Sequence, residues 1–583
     1  MKSILVFILI LLAGFGTHNL SAQNQRTFCN PVNLDYGFTP IPDFSKAGHH
    51  RATADPVMVL YKDNYFLFST NQWGYWWSKD MISWNFIPRR FLRPWNKVYD
   101  ELCAPAVWTS GDTMFVVGSA ASKNFSIWSS TDPFRDDWQV AVDSSGIAAW
   151  DPDYFLDDDG KLYLYYGSSN LYPIYGIEIN RTTLQPEREL HSLIRLHDDE
   201  HGWERFGENN DNDFLDPFIE GAWMTKHNGI YYLQYGAPGT EIKGYADGVY
   251  TSDHPFGPWT YQSHNPFCYK PEGFTRGSGH GSTYRDVYGN WWHITTTTIA
   301  VKNTFERRLS IFPAGFDADN ILYANTAFGD YPMFLPDGPA NHLKGCFTGW
   351  MLLNHEKPVK VSSTLGAYSA NFAVDEDIRT YWCAKTASPG EWIETDLGSI
   401  SRVNAIQINY ADQDVPYLGK RTDIYHQYRL WKSDDGKNWK ILVNKSKNLT
   451  DVPHDYVELK QPVETRYIKL ENIHMAAGKF AISGLRVFGK APGAPPDSII
   501  GFEVFRQQSD RRNAYIKWYP DKNAYAYNLY YGIDPDKLYN SIMIYTRNEY
   551  YLKALDKNTT YYFAIEGINE SGIGPRTPVI KLE

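Results

Sequence analysis

Three observations predict an all-β chain. Aromatic residues make up 16% of the 583 residues, with 42 Tyr and 20 Trp, a bias that suits pleated, half-buried surfaces. One strand-pair pattern recurs five times between residues 55 and 294. The turns inside the later pairs carry glycine in hairpin positions, as in Ser110-Gly111, Asp159-Gly160, Asn228-Gly229 and Tyr288-Gly289. The same composition argues against disorder, coiled coil and simple helical bundles. A net charge of −11 without a basic run argues against a nucleic-acid partner and against an anionic membrane surface.

The repeated unit is an acidic or small residue, often followed by Pro, then a short strand, a polar turn and an aromatic strand. It reads Asp55-Pro56-Val57 with Asn64–Phe68, Ala104-Pro105-Ala106 with Thr113–Val117, and Asp151-Pro152-Asp153 with Lys161–Tyr166. Two copies without Pro follow, Glu220-Gly221-Ala222 with Ile230–Tyr235 and His280-Gly281-Ser282 with Asn290–Ile294. Successive starts lie 49, 47, 69 and 60 residues apart. A second pattern, Ser78-Lys79-Asp80 with Trp84, Thr131-Asp132-Pro133 with Trp138, and Ser252-Asp253 with Trp259, reads as outer strands. Four strands per unit at this period predict a five-bladed β-propeller over 28–335, with a β-sandwich array as the competing fold.

The chain changes character near 340. Residues 345–490 read as a jelly-roll β-sandwich, in which Trp382, Trp392 and Trp439 are expected in the core. Ala491 to Pro496 is a stiff Pro-rich linker, and 497–583 alternates as a small seven-stranded sandwich. At the start, Lys2 precedes an apolar run from Ile4 to Gly14, and Leu20-Ser21-Ala22 offers a cleavage site. This predicts a signal peptide over 1–22 and a secreted or periplasmic protein, with no lipid-anchor Cys after the run and no membrane insertion. The five Cys at 29, 103, 268, 346 and 383 form neither a disulfide framework nor a zinc site, although one or two bridges are compatible with export.

In a propeller the innermost strands line one channel, so the equivalent starts of the blades converge. Asp55, Cys103-Ala104, Asp151, Glu220 and His280 are therefore expected at one mouth. Crowded carboxylates repel, and at least one should hold a proton near neutrality. A proton-holding Glu and an ionised Asp on opposite sides of a sugar can cleave a glycosidic bond. One protonates the leaving oxygen and the other activates water, at a separation of roughly 6.5–9.5 Å for inversion. The competing readings are ordinary Asp-Pro strand starts, a surface turn at Glu220 and a packed core His280. Asp157 to Gly160 reads as a hairpin turn, and Asp211 to Asp216 as a solvated loop. Trp73, Trp76 and Trp108 follow early strands, where sugar faces can stack, with core packing as the alternative.

At these positions the sequence resembles glycoside hydrolase family 43. The resemblance rests on Ala54-Asp55-Pro56, Trp150-Asp151-Pro152 with its Asp158–Leu164 hairpin, Ile219-Glu220-Gly221-Ala222-Trp223, and Gly279-His280-Gly281-Ser282. It implies an inverting exo-hydrolase with Asp55 as general base, Glu220 as general acid and Asp151 tuning and orienting that acid. It implies a substrate-side Arg307, with Arg308 as rival, and a central His280 beside a channel water or calcium. No cofactor is required, and a structural Ca2+ in the channel is the one metal expected, reached from His280 through water. The chain departs from the family where Glu-Gly-Ala-Trp replaces Glu-Gly-Pro-His and where Cys103 replaces a Trp. Residues 345–490 resemble a discoidin-like (coagulation factor 5/8 type C) carbohydrate-binding domain, and 497–583 resemble fibronectin type III. The first is expected to hold polysaccharide or oligosaccharide near the mouth, and the second to act as a spacer. The implied activity is that of an α-L-arabinofuranosidase or β-xylosidase on plant-type polysaccharide. A galactosidase or galactofuranosidase of the same fold and a non-catalytic glycan binder are the alternatives.

Overall fold

The computed structural model describes residues 26–38, 49–70, 72–89, 102–119, 125–299, 305–341 and 345–583, and the expected signal peptide lies outside them. Among the described residues every regular element is a strand or a short 3-10 turn. Among these residues no helix is long and apolar enough to cross a membrane.

Beside a two-stranded pair of Thr27–Phe28 with Met333–Phe334, the described residues of the first half form five larger antiparallel sheets, each a meander in chain order. Their first strands are Val57–Tyr61, Ala106–Ser110, Asp153–Leu156, Glu220–His227 and Arg276–Arg285. Each first strand packs beside the first strand of the next sheet, and the fifth returns to the first, closing a ring. The apolar faces between sheets carry the core. Trp76, Leu67 and Met58 of the first sheet meet Trp292 and Ile294 of the fifth, and Trp108 and Val117 of the second meet Tyr154 and Leu164 of the third.

The Ser-x-Asp and Trp motifs turn out to form corners, not strands. The Ser closes the third strand and its hydroxyl accepts the backbone N–H two residues on, from Asp80, Asp132 and His254 in turn. That local bond turns the chain into the fourth strand.

Residues 351–490 form an eight-stranded antiparallel assembly around Trp382, Ile393, Ile406, Leu430, Leu470 and Val487. Of the three Trp expected in this core only Trp382 is fully buried. Trp392 and Trp439 are half-buried and flank the Lys469 ammonium, which lies 3.6 Å from the Trp439 ring centre. Residues 503–582 build a three-stranded and a five-stranded sheet that face each other over Ile516, Trp518, Leu529, Ile542 and Phe563.

This last unit is not a spacer. One apolar cluster runs from Tyr235 and Ala246 of the fourth ring sheet into Ile516 and Leu555. Arg205 of the ring, buried, donates to Asp510 and Asn513. None of the five cysteines forms a disulfide, so no bridge ties these units together.

Candidate active site at the centre of the ring

The convergence of polar groups has a backbone cause. In each sheet one residue, two positions before the inner strand begins regular pairing, adopts left-handed φ: Asp55 (54°), Ala104 (41°), Asp151 (49°), Gly221 (64°) and His280 (50°). For Asp, Ala and His that conformation costs on the order of 1–3 kcal/mol and persists only where the surroundings enforce it. At Asp55, Asp151 and His280 it brings the three side chains together.

The register refines the sequence expectation at one place. Gly221, rather than Glu220, holds the equivalent position in the fourth sheet, and pairing there skips from Glu220–Gly236 to Trp223–Gln234. A Cβ on Gly221 would stand 2.6 Å from Cγ of His280, so only glycine fits. The bulge delivers Glu220 to the site one residue early.

Asp55, Asp151 and His280 meet with side chains 10%, 8% and 13% exposed. Nδ1 of His280 lies 3.3 Å from Asp55 and 3.8 Å from Asp151. Thr70 donates its hydroxyl to Asp55 at 2.7 Å, and the Asp55 backbone N–H donates to the Thr296 hydroxyl at 2.9 Å. Arg307 brings Nη1 to 4.0 Å from the other Asp55 oxygen, the one that faces His280, and donates to the Thr240 hydroxyl. Glu220 accepts from the Tyr245 hydroxyl on one oxygen and from Ser168 on the other at 3.1 Å. The Asp151 backbone N–H donates to the Ser119 hydroxyl at 2.9 Å, and that hydroxyl faces the Asp151 carboxylate at 3.3 Å.

Burial, then the charge of Asp151, pushes the Glu220 carboxyl up to about 7. Burial also raises Asp151, with the His280 charge opposing and that of Asp55 adding to the rise. For His280 burial disfavours the cation, but Asp55, Asp151 and Glu220 outweigh it and raise the imidazole above its ordinary value. The result is an acid that holds its proton toward neutrality beside an imidazole whose charged form its carboxylate neighbours favour.

A second layer fixes the imidazole. The Asp247 carboxylate accepts the backbone N–H groups of His280 (2.8 Å) and Gly281 (3.0 Å) and pairs with Nε2 of buried His293 at 2.8 Å. His293 in turn meets Thr283, which donates to Gln234. Reading the sequence missed Tyr245, Ser168, Thr70 and Asp247. Asp247 lies on the third strand of its sheet, and Thr70, Ser168 and Tyr245 lie just outside second or third strands, where no local motif marks them.

Two of the three expected sugar platforms are core residues instead. Trp76 is fully buried, donates to Asp35 and packs edge-on against Tyr36 and Phe86. Trp108 is 5% exposed and sandwiched between Phe115 and Tyr154. Neither offers a ring face to a ligand. Trp73 is half-buried beside Gly419 of the sandwich. Arg307 faces Asp55, whereas its rival Arg308 points away to Asp412 and His454.

Among the described residues Asp151, Glu220 and His280 are the one group of such side chains able to converge on an ion, with ligand atoms within 4.8 Å of one another. Calcium takes six to eight oxygens. Here one donor is an imidazole nitrogen, and both Glu220 oxygens already accept hydrogen bonds. These residues do not fit a directly bound Ca2+. The Asp157 to Gly160 turn is a hairpin whose Asp157 holds Lys226 and Tyr231.

Residues 50–322, which enclose this ring, match the family model for glycosyl hydrolases family 43, and 358–483 match that for the F5/8 type C domain. The first stretch is thus similar to a family 43 glycoside hydrolase domain and the second to a discoidin-like domain. It is 28% identical over 153 residues to a β-xylosidase of Xylanibacter ruminicola, across 22% of this chain and 42% of that protein. It is 29% identical over 143 residues to a xylosidase/arabinosidase of Bacteroides ovatus, across 20% and 40%. A β-D-galactofuranosidase of Aspergillus niger is 28% identical over 119 residues, across 20% and 27%. The chain thus spans less than half the length of these curated relatives.

Proposed function

We propose that the protein is an inverting glycoside hydrolase that removes terminal α-L-arabinofuranosyl or β-D-xylosyl units from polysaccharide or oligosaccharide. The observation that carries this reading is the half-buried Glu220 carboxyl, raised to about 7 and facing Asp151, with Asp55 across His280.

In this mechanism Glu220 gives its proton to the glycosidic oxygen as the bond to the anomeric carbon breaks. Asp55 takes a proton from the water that attacks the opposite face. Arg307 and His280 supply positive charge beside Asp55. Asp151 raises the acid through its own charge, and Tyr245 and Ser168 fix the direction in which Glu220 points. Water is the only co-reactant. Turnover ends with Glu220 as carboxylate and Asp55 protonated, and exchange with solvent restores both.

The names of two relatives favour xylosyl and arabinosyl units. A galactofuranosyl unit is the second reading, favoured by the third relative and by Ala222-Trp223 and Cys103 at positions where the family commonly has other residues. We read the ring of five sheets as a five-bladed propeller over 28–335, the discoidin-like unit as 345–490 and the last sandwich as fibronectin type III-like over 497–583. Export follows from the N-terminal apolar run, and the discoidin-like unit is proposed to hold glycan near the site.

The test is hydrolysis of aryl α-L-arabinofuranoside, β-D-xyloside, β-D-galactoside and β-D-galactofuranoside, with the first-formed anomer read by NMR. Release of one sugar as the inverted anomer is expected, with the rate on poor leaving groups lost in Glu220→Gln. Retention of configuration would contradict the mechanism. Silence on all four and on natural arabinoxylan would favour a glycan-binding protein.

A further inference from the structure

A buried ion cluster joins the ring to the discoidin-like sandwich immediately behind the base. Asp412 of the sandwich accepts from Arg51 at 2.6 Å and, on its other oxygen, from the Arg51 backbone N–H at 2.8 Å and from Arg308 at 3.3 Å. Asp451 accepts from the Arg51 fork on both oxygens at 2.8 Å. Arg308 completes its own fork on the Arg51 carbonyl at 2.6 Å and on His454 at 3.0 Å. The four charged side chains are between 1% and 4% exposed. Backbone bridges from Phe38 to Gly419 and from His49 to Val415 bind the same two surfaces.

The cluster grips two segments that are distant in sequence and adjacent at the site. Arg51 lies four residues before Asp55. Arg308 lies beside Arg307, and alternation along a strand sends Arg307 inward to Asp55 and Arg308 outward to the sandwich. Between them the Thr53 N–H donates to the Arg307 carbonyl at 3.3 Å, and Thr70, which holds the Asp55 carboxylate, donates its N–H to the Ala54 carbonyl at 2.9 Å. One carboxylate, Asp412, touches both arginines, so it fixes the distance between the two segments.

We infer that Asp412 and Asp451 of the discoidin-like sandwich are positioning residues for catalysis, holding Asp55 and Arg307 in register through Arg51 and Arg308. This rests on Asp55 being the base. A fixed carboxylate bridge is needed because two buried arginines left unpaired repel and separate, and a misplacement of about 1 Å at a reacting group is enough to cost roughly 100-fold in rate.

The experiment uses the full chain and whichever aryl glycoside it cleaves. It compares Asp412→Asn, Asp412→Glu, Arg308→Lys and, at the other inter-unit contact, Asp510→Asn, each with its melting transition. Asp510 pairs with buried Arg205 of the ring but touches nothing at the site. Asp412→Asn and Arg308→Lys are expected to lower kcat by ~100-fold with KM changed less than about threefold. Asp412→Glu should restore part of the rate. Asp510→Asn should lower the melting temperature and leave kcat unchanged. If Asp412→Asn and Arg308→Lys behave as Asp510→Asn does, the inference is overturned. Should Asp412→Asn fail to fold, Arg308→Lys with wild-type kcat overturns it alone. An Asp55→Asn protein with full activity would remove the base assignment itself.

Discussion

Two clusters of buried carboxylates lie back to back in this molecule and behave in opposite ways. At the ring centre Asp55, Asp151 and Glu220 face only His280 and Arg307. Behind them Asp412 and Asp451 are matched by Arg51 and Arg308. Burial acts on both. At the centre it wins, and Glu220 rises to about 7. At the interface Arg51 and His426 overcome it, and Asp451 falls well below the usual carboxylate range. The histidines differ likewise. His280 is raised by its acidic neighbours, whereas burial and then Arg308 hold His454 far below its ordinary value and therefore neutral. The balance of cations to acids, not depth, separates a site that stores a proton from one that stores rigidity.

The largest effect that would break this contrast is on rate. Asp55→Asn should lower kcat by 10³-fold or more, since water would then lack its general base, and a steady-state assay on the cleaved glycoside reads it. Next comes stability at the interface. Asp451→Asn leaves the second fork of Arg51 without its anion and should cost roughly 3–5 kcal/mol at pH 7 by denaturant unfolding.

That loss has a pH signature. The folded-state value of Asp451 lies below its unfolded value, so its contribution is present above about pH 4 and fades as the pH falls further. The gap between wild type and Asp451→Asn should therefore close in acid.

Glu220 has the opposite sign. Its folded value of about 7 lies above the unfolded value of 4.5, so its burial is tolerated below pH 4.5 and destabilises increasingly as the pH rises toward 7. Glu220→Gln should thus melt higher than wild type at pH 8, by ~2 °C, with the gap vanishing near pH 4. A gap that stays constant with pH would contradict the raised carboxyl.

The contrast also marks what could be read from sequence. The strand pairs and the blade-start residues were legible because hairpin turns, Asp-Pro steps and alternating aromatics are local signals. Asp55, Asp151, Glu220 and His280 do meet. The one-residue offset that puts Gly221 in the left-handed position was not legible, since it depends on how close His280 comes from another sheet. Trp76 and Trp108 were taken for platforms because position along a strand does not say which face is covered by the next sheet. The interface cluster joins residues 361 and 400 positions apart, and nothing local marks Arg51, Asp412 or Asp451 as partners. Nor did Pro-rich composition around 491–496 reveal that the last sandwich docks on the ring.

The central claim is that Glu220 donates the proton to the leaving oxygen, and a leaving-group series tests it most directly. Wild type and Glu220→Gln would be compared on glycosides of one sugar whose leaving groups range from 2,4-dinitrophenol to an alkyl alcohol. The mutant is expected to stay within about tenfold of wild type on the dinitrophenyl glycoside, which departs without protonation, and to lose 10³-fold or more on the alkyl glycoside. An equal loss across the series, or none, would contradict the assignment of Glu220 as the acid.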